Sequence, residues 1–495
     1  FQESLRLSQG LKNRVSQATS YSQLGEIYAT LGEGNRSLTF LNRALKVNRE
    51  TGSAVGEGQS LLALCRAYRL AENPSAATDY CAQALTFAES HGHEAERARA
   101  SIELGNAYLD LGQLDRAAGY FQSGRELAHE LDRPNIQWPA AAGMARVLAA
   151  QGHTEPAVEM GREAVATLER LRSQLDLPEM RAGFLEDKLD PYEQLVLLLA
   201  RQGLLAEAFR TMEYSRSRTF LEVLADAPGN AGSERVAALR RKIYDMRREI
   251  LDRTEDLASL PASADRDSAT TAVLDVLSEL RKQHDALQAE MRRALKEESV
   301  ASAAEPMTLD AVQTMLDPQE ALLEYYVTRN DLLIFLITKD GVRALIQPQS
   351  EVQLGARVKL YQAAVSRDPG TGGGVDRWLA PATSLTQVLI DPVRRDPLLA
   401  GRQQLVVVPH RFLNLVPFQA LLGRRASPGE PQHFLVEDYA LSYAPSASIL
   451  KHCRDHARGR RTTALALANP TPSLAGGTEL MYSADEVATV KRHFG

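Results

Sequence analysis

Leu104-Gly-Asn-Ala-Tyr-Leu-Asp-Leu-Gly112, with Ala117 and Phe121 following it, is one copy of a pattern that returns at a constant interval, the step from Leu64 to Leu104, through the first third of the chain. Leu24, Leu64, Leu104 and Met144 occupy one position of that pattern, Gly25, Cys65, Gly105 and Ala145 the next, and Tyr28, Tyr68, Tyr108 and Leu148 a third. Further on, Gly32, Gly112 and Gly152 share a position with Glu72. Ser37, Ala77, Ala117 and Ala157 then align, as do Ala44, Ala84, Gly124 and Ala164. Large and small residues at fixed spacing describe a pair of closely approaching helices with a turn residue between them. Such a unit cannot bury its own apolar face, so the pattern predicts a stack in which each unit covers the next. A weaker fifth unit, Leu195, Leu199, Gly203, Ala208 and Met212, keeps the internal spacing after a longer step.

This order of Leu-Gly-x-x-Tyr followed by small, aromatic and small residues resembles the tetratricopeptide repeat (TPR). The usual late proline is absent, and the interval is longer than the commonest period of that repeat. The resemblance implies an all-α superhelix over residues 1–226, made of about five units with the first one truncated. Counting back one interval from Leu41 reaches Phe1, which predicts that the chain opens inside the second helix of an earlier unit, with further residues upstream. First-helix side chains line the inward face of such a superhelix. Glu26, Arg66, Asn106 and Arg146 stand two residues beyond the Leu position and are the candidate partner-binding residues. Their polar groups can hydrogen-bond an extended protein or peptide segment. Cys65 and Cys81 fall at packing positions of the repeat and read as core thiols.

Between residues 230 and 300 the chain is charge-dense and nearly free of Pro and Gly. Val236, Leu239, Ile243, Met246 and Ile250 step by three and four, and Val273, Leu277, Leu280, Leu287 and Met291 repeat that rhythm. Two helices with apolar seams, joined around Pro261 to Ser268, predict an antiparallel helical connector. His284 reads as a tolerated seam residue.

From Pro306 to Gly495 the period changes. Leu322 to Val327 and Leu332 to Thr338, separated by Asn330-Asp331, read as a β-hairpin leading into Val342 to Ile346. Leu354 to Ala364 and Trp378 to Ile390 read as helices. The loop Asp368-Pro-Gly-Thr-Gly-Gly-Gly374 between them lacks the Gly-Lys-Ser/Thr ending of a phosphate-binding loop. Leu405 to Val408, Tyr439 to Tyr443 and Ala464 to Leu467 read as strands, and Ser483 to Phe494 as a capped helix. Strands alternating with helices predict an α/β sheet with parallel strands.

Val406-Val-Val-Pro409, Leu413, Pro417-Phe418, Ala420-Leu421, Phe434-Leu-Val-Glu-Asp-Tyr439 and Ser442-Tyr-Ala-Pro-Ser-Ala-Ser448 together resemble the CHAT domain, a caspase- and separase-like cysteine peptidase fold. Met212-Glu-Tyr-Ser-Arg-Ser-Arg-Thr-Phe-Leu-Glu-Val-Leu224 resembles the segment that closes the repeats ahead of such domains. His410-Arg411 departs from the family, which usually has an acidic residue and glycine there. The resemblance implies a bacterial TPR-CHAT hydrolase whose repeats sense a protein partner. It also implies a thiolate nucleophile with a histidine as base and then acid. These belong to a His-Gly pair and a Ser-Ala-Cys-like run that this sequence does not contain, so no catalytic residue is assigned. The dyad, and the rest of a CHAT domain incomplete at its C-terminus, are expected downstream of Gly495. His452 and His456 would share a helical face beside Cys453, but they follow the wrong turn for the family's nucleophile. His410 reads as a loop histidine satisfied locally.

Composition agrees with this multidomain reading. At 495 residues the chain has room for about three domains, and 44% apolar with 24% charged residues is an ordinary globular mix. Lys and Arg number 57 against 63 Asp and Glu, a net charge of −6, which gives no strong nucleic-acid signal. No apolar run approaches the length of a membrane span, and no secretory signal opens the chain. Three cysteines, Cys65, Cys81 and Cys453, suggest a reducing, cytoplasmic setting. No cofactor and no metal are expected. The alternative function is a noncatalytic TPR adaptor or scaffold with a degenerate or structural CHAT-like domain.

Overall fold

The structure, a computed structural model, describes residues 2–11, 13–175, 183–185, 187–216, 234–259, 273, 275–280, 282–287, 290–291, 306–365, 377–424 and 433–456. The sequence pattern becomes a stack of helical hairpins: α1 (Gln2–Gly10), α2 (Arg14–Thr30), α3 (Gly34–Thr51), α4 (Ala54–Leu70), α5 (Pro74–Ser90), α6 (Glu94–Asp110), α7 (Leu114–Glu130), α8 (Pro134–Ala150), α9 (Thr154–Ser173), α10 (Asp190–Arg201) and α11 (Leu205–Arg216). Side chains of Asn13, Ser53 and Asn73 cap the starts of α2, α4 and α5, satisfying otherwise orphaned N–H groups.

The helices end in left-handed turns. After α6, Gly112 at φ 70° donates to Leu109 O and Gln113 N donates to Tyr108 O, which closes the last turn. Glu72 at φ 55° and Asp132 at φ 48° take the same conformation without glycine's freedom, at about 1–2 kcal/mol each. Residue 72 therefore keeps the turn geometry of the repeat even where its glycine is missing.

Between the helices, small residues receive large ones. A Cβ on Gly25 would lie 2.5 Å from Leu41 Cγ, and one on Gly105 would lie 3.0 Å from Phe121 Cδ1. In the second unit the same pair of positions holds Cys65 and Cys81. Both are fully buried, and the structure joins them as a disulfide with Cα atoms 5.2 Å apart. This corrects the expectation of two free core thiols. The cause is the interlock itself, which places these two positions side by side wherever neither residue is large.

In the connector, α12 (Glu234–Ser259) brings Leu239 and Ile243 against Met291, with Leu287 beside them. Leu277, Leu280 and His284 are buried in helical segments. The expected turn at 261–268 lies outside the described residues, as do the Gly-rich stretch 368–374, the remainder of the 212–224 segment beyond Arg216, the strand at 464–467, the helix at 483–494 and the side chains of His452 and His456.

The last part forms α13 (Leu309–Met315), β1 (Glu320–Val327), β2 (Leu332–Thr338), β3 (Gly341–Gln347), α14 (Glu351–Val365), α15 (Leu379–Leu389), α16 (Asp391–Arg394), β4 (Gln404–Val408), α17 (Leu435–Asp438), β5 (Ala440–Tyr443) and α18 (Ala447–His456). Sheet order is β3-β2-β1-β4-β5. β1–β2 and β2–β3 are antiparallel hairpins, whereas β1–β4 and β4–β5 are parallel, so the sheet is mixed rather than wholly parallel.

β1 and β2 are buried along their whole length because both sheet faces are covered. Leu323, Tyr325, Ile334 and Leu405 face a core with Leu354, Tyr361 and Leu385 of α14 and α15. Alternate residues Leu322, Tyr326, Phe335 and Val406 face Leu195, Leu199, Phe209 and Met212 of the last repeat unit. Phe209 meets Phe335 edge-on at 5.7 Å. Helical stack and sheet thus share one hydrophobic core.

Candidate functional site

The first helices of successive units, α4, α6 and α8, carry a polar track. Glu103, buried on α6, accepts from Arg66 Nε at 2.5 Å, from Arg69 Nη1 at 3.3 Å and from Asn106 Nδ2 at 3.4 Å. Arg69 Nε also donates to Asp110 at 2.7 Å, and Arg146 Nη2 donates to Asn106 Oδ1. Three of the four residues singled out from the sequence, Arg66, Asn106 and Arg146, are therefore joined through Glu103. Glu26 is exposed one unit away and reaches Arg66 only through its charge. The Glu103 carboxylate raises Arg66 above its ordinary pKa, whereas burial, and next the Arg69 charge, lowers Arg146. Burying Arg146 with an amide as its hydrogen-bond partner leaves its charge available to an anionic or carbonyl group.

The second concentration of polar groups lies at the carboxyl ends of β1, β4 and β5, where open α/β sheets place their ligands. The buried guanidinium of Arg216, the last residue of α11, reaches into it. It pairs with Glu324 Oε1 at 2.8 Å and donates to the carbonyls of Tyr325 at 3.1 Å, Pro409 at 2.7 Å and Pro445 at 3.2 Å. Glu213, one turn earlier, accepts from Ser448 N at 3.0 Å and from Ser448 Oγ, at the N-terminus of α18. That terminus is a favourable place for a carboxylate. Ser215 Oγ lies 3.0 Å from Tyr326 Oη. Glu324 is held well above the usual carboxylate range, first by burial and then by the Glu213 charge, with Arg216 opposing. Glu324 therefore keeps its proton.

His410, at the end of β4, accepts Val327 N–H at Nδ1 over 2.9 Å and stacks on Tyr326 at 4.8 Å. Burial, and then the charges of Arg216 and Arg411, hold it well below the usual histidine range, so the ring is neutral. The turn that follows it walls a cleft of 480 Å³, lined also by Tyr361, Leu415, Pro417 and Tyr443.

The tetratricopeptide-repeat family matches residues 18–51, and the CHAT domain family matches residues 379–495. The chain has a TPR-CHAT architecture. No curated protein matches the TPR-CHAT chain. Among solved structures it is similar to BtubC from P. vanneervenii, at 16% identity over 47% of this chain and 91% of the other, with a TM-score of 0.37. It is also similar to aspartyl phosphate phosphatase F from Bacillus subtilis, at 15% identity over 61% of this chain and 71% of the other, with a TM-score of 0.35. A putative kinesin light chain with nearly identical TPR-like repeats from Podosopora anserina aligns at 18% identity over 42% and 97%, with a TM-score of 0.32.

Sequence reasoning missed Glu103, Arg69, Asp110, Glu213, Arg216 and Glu324 of the TPR-CHAT chain. Glu103 carried one signal: it precedes the Leu position, where the other units have Gln23, Ala63 and Gly143. Glu213 and Arg216 sat inside the quoted 212–224 segment, but nothing local told that they face a sheet far along the chain. Among the described residues of the TPR-CHAT chain, no helix is long and apolar enough to cross a membrane.

Proposed function

We propose that this TPR-CHAT chain is the sensing and scaffolding part of a cysteine endopeptidase that answers to a protein or peptide partner. Residues 1–226 are the sensor, 230–300 the connector and 306–495 the N-terminal part of the hydrolase domain. Glu26, Arg66, Asn106 and Arg146 receive the partner segment. The observation that carries this reading is Arg216: the last helix of the repeats ends in a guanidinium bonded to carbonyls at three strand ends. A change in the repeats therefore acts directly where a CHAT-like site is built. The His/Cys dyad is assigned to sequence following Gly495. Peptide cleavage by the protein extended past that point, abolished by replacing one downstream cysteine, is the expected result. An extended protein without both a His-Gly pair and a later cysteine ends the peptidase reading.

A noncatalytic adaptor is the second reading. It is favoured by His410, whose Nδ1 is already occupied by Val327 N–H and whose ring is neutral and stacked, and by Arg216 filling the strand-end crevice. It requires partner binding that weakens on Arg66→Ala or Arg146→Ala with no cleavage by the extended protein.

A further inference from the structure

Arg411 stands at the head of the turn that follows β4, with φ at 54°. That conformation is disfavoured for any L residue with a Cβ and is taken freely by glycine. Its side chain accounts for the exception. The guanidinium bridges Glu193 Oε1 of α10 at 2.6 Å and Glu351 Oε2 at the start of α14 at 2.9 Å. Glu193 is buried on a helix that packs against the sheet. Three residues before it stands Asp190, whose charge is felt by Arg146. The polar track therefore runs on, through Asp190 and Glu193, to the turn after β4.

The start of that turn is fixed by His410, which accepts Val327 N–H and stacks on Tyr326, and its middle by the buried Leu413. Pro409 O is held by Arg216, the Asn414 side chain donates to Arg411 O at 2.8 Å, and Gln362 Nε2 reaches Leu415 O at 3.4 Å. Leu415 is 56% exposed, and the turn forms one wall of the 480 Å³ cleft at the strand ends. A positive-φ position held by two carboxylates from different layers stores strain that the pairings keep in place.

We infer that Arg411 is a latch: its pairing with Glu193 of the repeats holds the 409–415 turn in a strained shape, and loss of that pairing frees the cleft wall at the strand ends. The inference rests on the sensing reading for its biological use. The latch itself is a property of the free chain and is tested without a partner.

The test is hydrogen–deuterium exchange of the full chain at pH 8.5, above the value of about 7 to which burial raises Glu193, so that the carboxylate is ionised. Glu193→Gln is expected to speed exchange of peptides covering 409–415 by about 10-fold, the scale of one charge-assisted hydrogen bond, while α4 to α7 keep their protection. Arg411→Gly removes both strain and latch. In that background the turn is relaxed, and adding Glu193→Gln is expected to change nothing further. Unaltered exchange in Glu193→Gln overturns the latch. So does an equal effect of Glu193→Gln with Arg411 or with glycine at 411, because the carboxylate then acts through general packing. Failure of partner binding in the Arg146→Ala test leaves this outcome untouched, so the two readings fail separately.

Discussion

Gly143→Ala should change sign with the residue at position 121. Phe121, fully buried on α7, lies between Gly105 of α6 and Gly143 of α8. A Cβ on Gly143 would stand 2.5 Å from Phe121 Cδ1 and closer still to Cε1 and Cζ, whereas one on Gly105 would crowd the ring less severely, at 3.0 Å. The added methyl at 143 thus cannot be absorbed without moving a ring packed on both faces, and overpacking of this kind costs up to about 3 kcal/mol. Against it stands the gain of about 1 kcal/mol when Ala replaces Gly inside a helix. The net expectation is a loss of about 2 kcal/mol. In a Phe121→Ala background, itself about 3–5 kcal/mol less stable, the clash is gone and the same substitution should stabilise by up to about 1 kcal/mol. The chain has two tryptophans. With Trp378→Phe as the common background, the emission of Trp138, on α8 with Gly143, follows the helices concerned. Urea midpoints of the four variants then give a coupling of about 3 kcal/mol. A Gly143→Ala variant that is neutral or more stable with Phe121 present would refute the interlock.

Arg216→Met should cost about 3–5 kcal/mol by leaving Glu213 and Glu324 buried without their cation, and adding Glu324→Gln should recover most of that loss in the denaturant midpoint. No recovery would mean that Arg216 acts through the strand-end carbonyls alone. Burial raises Glu193 from an ordinary 4.5 to about 7, so the folded chain holds a proton that the unfolded chain releases. The stabilisation is complete below pH 4.5 and is lost as pH rises through 7, by about 3 kcal/mol at most. The midpoint difference between wild type and Glu193→Gln should follow that curve, and a flat difference would exclude it. For Cys65 and Cys81, peptide mapping without reductant should recover the two segments joined. Closing a loop across a sequence separation of 16 is worth about 3 kcal/mol, so reductant should lower the midpoint of wild type and leave Cys81→Ala unmoved.

The helical stack was readable because its physics is local. A constant interval from unit to unit, a small residue facing a large one, and a turn that accepts a left-handed residue are all written within a few dozen positions. Even the missing glycine at Glu72 kept its geometry. The strands from Leu322 to Ile346 were equally plain, since they are short, apolar and punctuated by Asn330-Asp331 and Asp340-Gly341. What the pattern concealed is long-range. Leu199 and Met212 continue the repeat's own spacing, so nothing in their rhythm reveals that they cover a sheet. Arg216 and Glu324 bond to each other across 108 positions, and separately each looks like a surface charge. The cysteine pair is hidden for the opposite reason: Cys65 and Cys81 each fit a packing position of the repeat, and neither position alone says that the two touch.

The core that the last repeat unit shares with the sheet also sets the direction in which the stack comes apart. In a one-dimensional array each unit is steadied only by its neighbours, so an end without a cover is the weak one. Here α10 and α11 are pinned beneath Leu322, Tyr326 and Phe335, so this end of the stack is covered. The helices that touch the strand ends are accordingly the last of the stack to let go.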